Sequence, residues 1–424
     1  MTRLTLLATL ALASMSLTTT AAPAEAQASD PALERARRIL AASPVVDGHN
    51  DLPWEIRTNR EHPRDVATYD LTRRTPGHTD LERLRAGGVG AQFWSIYIPG
   101  DYADSGYARV QLEQFDIARR MVARYPDRLA LALTSADIDR AIADGRVASL
   151  LGMEGGHALE NSLGALRAYY ALGARYLTLT HNVTLDWADA GLDSARNGGL
   201  TRFGREVVRE MNRLGMLVDL SHTSPGTMSD VLDVAEAPVI FSHSSARALT
   251  DIARNVPDSI LQRLPKNGGV VMVTFVPDFV SAEVLRAGQA RDEEMRRRTT
   301  GITDTAERRR IAHEVRAAFP MPRATLAQVA DHIDHVARVA GHDHVGIGSD
   351  FDGIDATPTG LEDVSAFPNL IAELVRRDWS DEDLKKLTGE NVRRALRQAE
   401  AVAARLQKER EPSVATIEEL DGKR

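Results

Sequence analysis

Short apolar runs recur along the chain at 44–50 (PVVDGHN), 89–98 (VGAQFWSIYI), 147–153 (VASLLGM), 174–181 (ARYLTLTH), 216–222 (MLVDLSH), 238–243 (PVIFSH), 269–275 (GVVMVTF) and 344–350 (HVGIGSD). Runs of this length and composition read as buried strands. Longer amphipathic stretches separate most of them. The stretch 201–214 opens on Thr201 and carries Phe203, Val207, Met211 and Leu214 on one face, and 224–234 does the same with Thr227, Met228, Val231 and Leu232. Eight strands alternating with helices predict a parallel sheet closed into a (β/α)8 barrel. An open doubly wound sheet is the competing fold. The segment 279–319 breaks the rhythm: it is rich in Arg and Glu, follows the seventh strand, and reads as a helical insertion beside the site. Residues 29–408 form one barrel domain on this reading, and the charged residues 409–424 a disordered tail.

The 424 residues are 43% hydrophobic and 26% charged, enough for a large core and inconsistent with a wholly disordered or fibrous chain. There is no cysteine, which excludes disulfides, thiolate ligands, iron–sulfur clusters and cysteine nucleophiles, so any metal must be held by His, Asp and Glu. Against 60 Asp and Glu stand 52 Lys and Arg, a net charge of −8 that argues against nucleic acid as a partner. Residues 1–28 read as a secretory signal: Arg3, an apolar stretch over 4–17, and the small-x-small site Ala26-Gln27-Ala28. The stretch is too short and too interrupted by Thr to span a membrane well. Cleavage near Ala28 would leave no stable membrane anchor, and an exported chain without cysteine points to a bacterial periplasm.

The chemistry collects where the strands end. His49 and Asp51 close the first run, Glu154 the third, His181 the fourth, His222 the fifth, His243 the sixth and Asp350 the eighth. In a (β/α)8 barrel the C-terminal rim is the active-site face, so these side chains converge on one mouth. His49 and Asp51, two apart, lie on the same side of an extended strand. Imidazole and carboxylate without thiolate suit a catalytic zinc-type site with open positions. One Glu can bridge two metals, which can hold a hydroxide between them and polarise a scissile carbonyl. Two divalent ions, two carboxylates and a hydroxide leave one positive charge, which Asp350 can offset while shuttling a proton. Other polar residues read as bystanders. Asp331, His332, Asp334 and His335 look like a solvated helix face, His342 and His344 like structural residues at the opposite rim, and His157 like a supporting or structural residue near Glu154. Asp352 would shape a turn with Gly353, Trp54 would pack at the mouth, and 291–310 would be exposed.

In chain order, VVDGHNDLPW (45–54), MEGGHAL (153–159), YLTLTHN (176–182), GMLVDLSHTS (215–224), APVIFSHSSARAL (237–249), ARNVPD (253–258) and HVGIGSDFDG (344–353) resemble the membrane dipeptidase (renal dipeptidase) family of metallopeptidases, over about 310 residues. The resemblance implies two Zn2+ ions, the first on His49 and Asp51, the second on His222 and His243, with Glu154 bridging both. His181 would bind and polarise the tetrahedral intermediate, and Asp350 would carry a proton from the nucleophilic water to the leaving amine. Arg254 would pair with the substrate's terminal carboxylate through its planar fork. It thus implies hydrolysis of small peptides with a free C-terminal carboxylate, tolerance of a D-residue there, and a homodimer. The chain departs from mammalian members, which are linked by cysteine and lipid-anchored, and its 276–279 stretch (VPDF) and following insertion match no family motif. The alternative is another two-metal barrel amidohydrolase, a deacylase or lactonase-like protein. Those often begin with His-x-His and use a modified lysine as bridge, where this chain has His49-x-Asp51 and Glu154.

Overall fold

The computed structural model describes residues 30–101 and 106–422, so the signal reading of 1–28 lies outside the described residues. The strands are β1 (Val45–Asn50), β2 (Val89–Tyr97), β3 (Leu129–Leu131), β4 (Val147–Glu154), β5 (Ala174–Thr178), β6 (Leu217–Asp219), β7 (Ile240–Phe241), β8 (Val270–Val273) and β9 (Val345–Ile347). They are parallel neighbours in the order β2-β1-β9-β8-β7-β6-β5-β4-β3, and β2 pairing with β4 closes the ring. All eight apolar runs are therefore staves of a closed (β/α)8 barrel, and the open-sheet alternative falls. β3 is additional. It pairs with the first residues of β4, from Leu129↔Val147 to Leu131↔Ser149, on the edge that β5 takes over from Leu151 onward. Three residues are too few to show a period, which is why the sequence pattern passes over it.

β6 and β7 are shorter than their apolar runs for a physical reason. The buried Asp219 carboxylate draws the backbone N–H groups of Ser221 (3.1 Å) and Ser242 (2.8 Å) to itself, so the chain leaves the ladder at the mouth. On the opposite wall Asp47 of β1 plays a matching part. It accepts from the Ser349 N–H (2.7 Å) and the Ser349 hydroxyl (2.6 Å), tying β1 to the end of β9 across 302 residues of chain. Close approach here needs glycine: a Cβ on Gly48 or Gly348 would fall 2.3 or 1.9 Å from the Ser242 carbonyl oxygen. On Gly152 of β4 it would fall 2.0 Å from the Tyr176 ring, so the missing side chain admits that ring to the interior.

The outer helices follow the sequence expectation. Thr201 caps Arg202–Leu214 by accepting from the Gly204 N–H, and that helix buries Phe203, Val207 and Met211. Ser224 caps Pro225–Val234 in the same way. The 279–319 insertion contains Ala282–Thr299 and Thr305–Ala318, of which only Val284, Thr299, Ile311 and Val315 are buried. Among the described residues no helix is long and apolar enough to cross a membrane.

Two expectations need correction. Residues 410–422 are not a disordered tail. After the helix Asn391–Glu409 the chain forms Ile417–Asp421, buries Ile417, and the Asp421 carboxylate accepts from the N–H groups of Arg202 (3.0 Å) and Phe203 (3.2 Å). A carboxylate at the N-terminus of Arg202–Leu214 satisfies donors that helix cannot pair internally. His332 and His335 are not a solvated face either. The helix Leu326–Ala340 turns Asp331 and Asp334 outward to Arg377, both at 2.7 Å, and buries the histidines. His335 pairs with Asp258 at 2.8 Å. His332 Nδ1 accepts from the Ala246 N–H (3.0 Å) while its Nε2 donates to the Val280 carbonyl (3.2 Å), so one neutral imidazole staples three segments.

Burial pushes the His332 imidazole down to about 4, whereas in an unfolded chain it titrates near ~6.5. Between these values the unfolded chain binds a proton that the folded protein refuses. Stability is therefore full above the unfolded value and falls as pH drops through the window. The urea midpoint should fall between about pH 7.5 and about pH 5, and His332→Gln should show a shallower fall over that range; equal slopes would place the acid sensitivity elsewhere.

Candidate active site

The strand ends bring His49, Asp51, Glu154, His181, His222, His243 and Asp350 to one mouth, and the loop after β7 adds Arg254. His222 and Asp350 sit in left-handed backbone, with φ of 67° and 66°. For non-glycine residues this costs about 1 kcal/mol or more and persists only where surrounding contacts impose it. Among these contacts, Asp350 N–H donates to the His49 carbonyl at 3.1 Å.

Glu154 stands at the centre. Its Oε2 lies 3.5 Å from His49 Nε2, and its Oε1 lies 3.1 Å from His222 Nε2 and 3.5 Å from His243 Nε2. His49 Nε2 is also 3.1 Å from Asp51 and 4.0 Å from Asp350. The ligand-type atoms fall into three groups, each within 4.8 Å: His49, Asp51 and Glu154; Glu154, His222 and His243; His49, His243 and Asp350.

Hydrogen-bond accounting shows what these atoms lack. The Ser242 hydroxyl donates to Asp219 (2.6 Å), so at 2.8 Å it can only accept from His243 Nδ1. The Asn182 side-chain oxygen accepts from His222 Nδ1 at 3.0 Å. Both imidazoles thus carry their proton on Nδ1. Their bare Nε2 atoms face each other at 2.9 Å, beside an oxygen of Glu154. Burial also drives both rings well below the ordinary histidine range, with Arg254 adding to the effect, which keeps them neutral. Tyr176 orients the third ring: its hydroxyl meets His49 Nδ1 at 2.8 Å and reaches the Gly48 carbonyl at 3.3 Å. The Ser95 hydroxyl donates to Glu154 Oε2 at 3.1 Å, but among the described residues no donor stands between Glu154 Oε1 and the two Nε2 atoms, an arrangement that fits a divalent cation. The same imbalance appears at the other group. Burial opposes a charge on His49, yet Tyr176, Glu154 and Asp51 together raise its proton affinity well above normal. Burial likewise opposes ionisation of Glu154, yet His49 and His222 hold it well below the usual carboxylate range.

The remaining residues line a cavity of about 660 Å³ that opens over this cluster. The His181 ring lies 4.8 Å from that of Tyr97 and 4.2 Å from that of His222, and burial lowers its pKa so that it is neutral near pH 7. Burial, with Asp51 and Glu154 beside it, raises Asp350 well above the carboxylate range. Arg254 is wholly buried. Its Nη1 donates to the Ser244 hydroxyl (2.6 Å), its Nε and Nη2 have no hydrogen-bond partner among the described residues, and its guanidinium lies 5.4 Å from the Phe279 ring centre. Burial lowers it to about 10, still protonated at neutral pH. Trp54 lines the mouth, edge-on to Tyr97 at 5.0 Å. His157 is buried and bonds the Ile98 carbonyl (3.1 Å). His344, bonded to the Gly269 carbonyl at 2.7 Å, precedes β9 at the other end of the barrel.

Sequence reasoning passed over the residues that fix the ligands: Tyr176, Asn182, Ser242 and Ser244, with Asp47 and Asp219 behind them. A signal existed for the two acids, since each interrupts an otherwise apolar strand, VVDGH and LVDL. A buried carboxylate there needs hydrogen-bond donors, and these are the residues next to ligands.

The family described as membrane dipeptidase (peptidase family M19) matches residues 33–410. Over 388 residues the chain is 42% identical to Dipeptidase verJ of Clonostachys rogersoniana, covering 89% of each. Among solved structures it is similar to the probable dipeptidase PvdM from Pseudomonas aeruginosa, with 25% identity and a TM-score of 0.76 over 88% of this chain and 99% of that one. It is also similar to a metallopeptidase from Rhodobacter sphaeroides liganded with a phosphinate mimic of the dipeptide L-Ala-D-Ala, with 26% identity and a TM-score of 0.69 over 84% of this chain and 99% of that one. With the family matched along nearly the whole described barrel, the chain belongs to the membrane dipeptidases of peptidase family M19 and is a dipeptidase of the metallo-hydrolase type.

Proposed function

We propose that the chain is a binuclear zinc dipeptidase. It would hold one Zn2+ on His49 and Asp51, the other on His222 and His243, and both on Glu154, and hydrolyse dipeptides with a free C-terminal carboxylate. The observation that carries this reading is that a cluster of converging ligand atoms and a buried arginine with two nitrogens unpartnered among the described residues open into one cavity. The ligand of the Rhodobacter sphaeroides relative supports tolerance of a D-residue at the C-terminal position. When bound, the zinc ions would supply a water that ionises near neutral pH and polarise the amide carbonyl.

Arg254 binds the substrate carboxylate. An unpaired buried cation is costly, and a carboxylate returns to its free nitrogens the hydrogen bonds they lack. A longer peptide offers a neutral amide at that point, so the arginine selects chain ends. His181, neutral and fixed between two rings, donates a hydrogen bond to the carbonyl oxygen as charge develops there. Asp350, whose proton affinity burial raises, accepts a proton from the attacking water and delivers it to the leaving nitrogen. The signal over 1–28, cleaved near Ala28, would place this activity in the periplasm.

The purified protein should carry close to two zinc ions per chain and cleave L-Ala-L-Ala and L-Ala-D-Ala; chelation should abolish both activities and zinc restore them. Activity that survives proven metal removal would refute the mechanism, and a zinc-loaded protein inert towards both substrates would refute the function. Asp350→Asn should lower kcat by roughly 10²- to 10⁴-fold at unchanged zinc content, checked by steady-state kinetics beside metal analysis. Arg254→Gln should cost about 3 kcal/mol in kcat/KM, on the order of 100-fold. It should also erase the preference for a free dipeptide over its C-terminal amide, and a variant that keeps that preference would put the clamp elsewhere.

A further inference from the structure

The wall of the cavity is electrically uneven in a way that the hydrolytic residues leave unexplained. Beside Arg254 the lining is apolar, with Leu192, Val276 and Phe279. Towards β1 and β9 it is acidic, with Glu55, Asp352 and Asp355. Glu55 lies on the helix Leu52–Thr58 one turn beyond Asp51, its N–H donating to the Asp51 carbonyl at 3.0 Å. Its carboxylate is half-buried, feels the His78 imidazole, and among the described residues makes no ion pair or hydrogen bond. Burial and the nearby Asp352 raise its pKa. The Asp352 side chain is 1% exposed; its Oδ1 takes the His78 N–H at 2.5 Å, while its Oδ2 is buried with no hydrogen-bond partner. The facing imidazole, His78, is itself disfavoured as a cation by burial and Arg83. Thr79 and the more distant Arg83 ease the charge on Asp352 only in part, so two carboxylates share a partly desolvated wall with no cation between them among the described residues, a cost that a positively charged ligand group would relieve.

We propose that Glu55, backed by the buried Asp352, is a specificity-determining residue that selects an N-terminal substrate residue whose side chain carries an ammonium group. The selection rests on the dipeptidase reading above. It points to the side chain rather than the α-ammonium because one helical turn carries Glu55 about 5.4 Å along the helix from Asp51, whereas the α-amine sits one carbon from the scissile carbonyl. Past Glu55, Thr58 and Pro76 the cleft continues into a second cavity of about 780 Å³, where Arg60, Arg73 and Arg74 stand beside Glu61 and Asp70.

The test compares L-Lys-L-Ala, L-norleucyl-L-Ala and L-Glu-L-Ala on the zinc-loaded enzyme, since norleucine keeps lysine's four-carbon side chain without its ammonium group. Expected is a kcat/KM for the lysyl substrate about tenfold above the norleucyl one, shrinking as ionic strength rises, and the glutamyl substrate lowest. Glu55→Gln should bring the lysyl-to-norleucyl ratio close to one, and Glu55→Lys should reverse the lysyl-to-glutamyl preference. A wild-type ratio at or below one, or a ratio that neither substitution moves, overturns the selection while leaving the dipeptidase reading intact. An equal loss on the lysyl and norleucyl substrates in Glu55→Gln would assign the carboxylate to the α-ammonium and overturn it as well. Cleavage of none of the three overturns the dipeptidase reading and the selection with it.

Discussion

Repulsion among buried acceptors is the constraint around which this barrel mouth is organised. The bare Nε2 atoms of His222 and His243 and the oxygens of Glu154, Asp51 and Asp350 are pressed within a few ångströms of one another around His49. Left to relax, such groups would turn away or take up protons. The fold blocks the first route and, for His222 and His243, the second as well. Tyr176, Asn182 and Ser242 occupy the far nitrogen of each ring, and the rings pack on one another, His49 on His243 at 3.9 Å and His222 on His243 at 5.0 Å. The site stores unfavourable electrostatics that only a cation can discharge, which is what preorganisation for a metal means in energetic terms.

That stored cost explains features that would otherwise look like weak construction. Two barrel strands are cut to three and two residues because their backbone donors serve Asp219 in place of a ladder. Polar side chains fill part of the barrel interior, including Asp47, whose carboxyl burial raises to about 6 while Ser349 and Gln92 stabilise its charge. Glycines at 48 and 348 give up packing so that opposite walls can meet. Each concession is local, and the apolar shell between strands and helices carries the stability around them.

Much of this was legible in the sequence because two independent patterns coincide. Apolar runs give the strands, and His or a carboxylate at their C-terminal ends gives the site, so His49, Asp51, Glu154, His181, His222, His243 and Asp350 can be named and are brought together. What stayed hidden was whatever depends on contacts distant in sequence. His332 and His335 stand among charged neighbours in the chain but face inward, because the helix axis, not the neighbouring residues, decides burial. Residues 410–422 have a solvent-like composition, yet Asp421 has a specific partner in the open end of Arg202–Leu214. Tyr176 reads as a core aromatic until Gly152 is seen to clear its path to His49.

The bond between Asp47 and Ser349 also bears on how the molecule is assembled. β1 carries His49 and leads into Asp51, but its flank stays open until β9 arrives some 302 residues later. The earliest segment of the barrel therefore waits on the latest, and the loop that must close between them is among the largest the chain can form. Such long-range pairing favours slow folding. It also means that a partial barrel cannot assemble the whole cluster at the mouth, because the strand that completes the wall brings Asp350 with it.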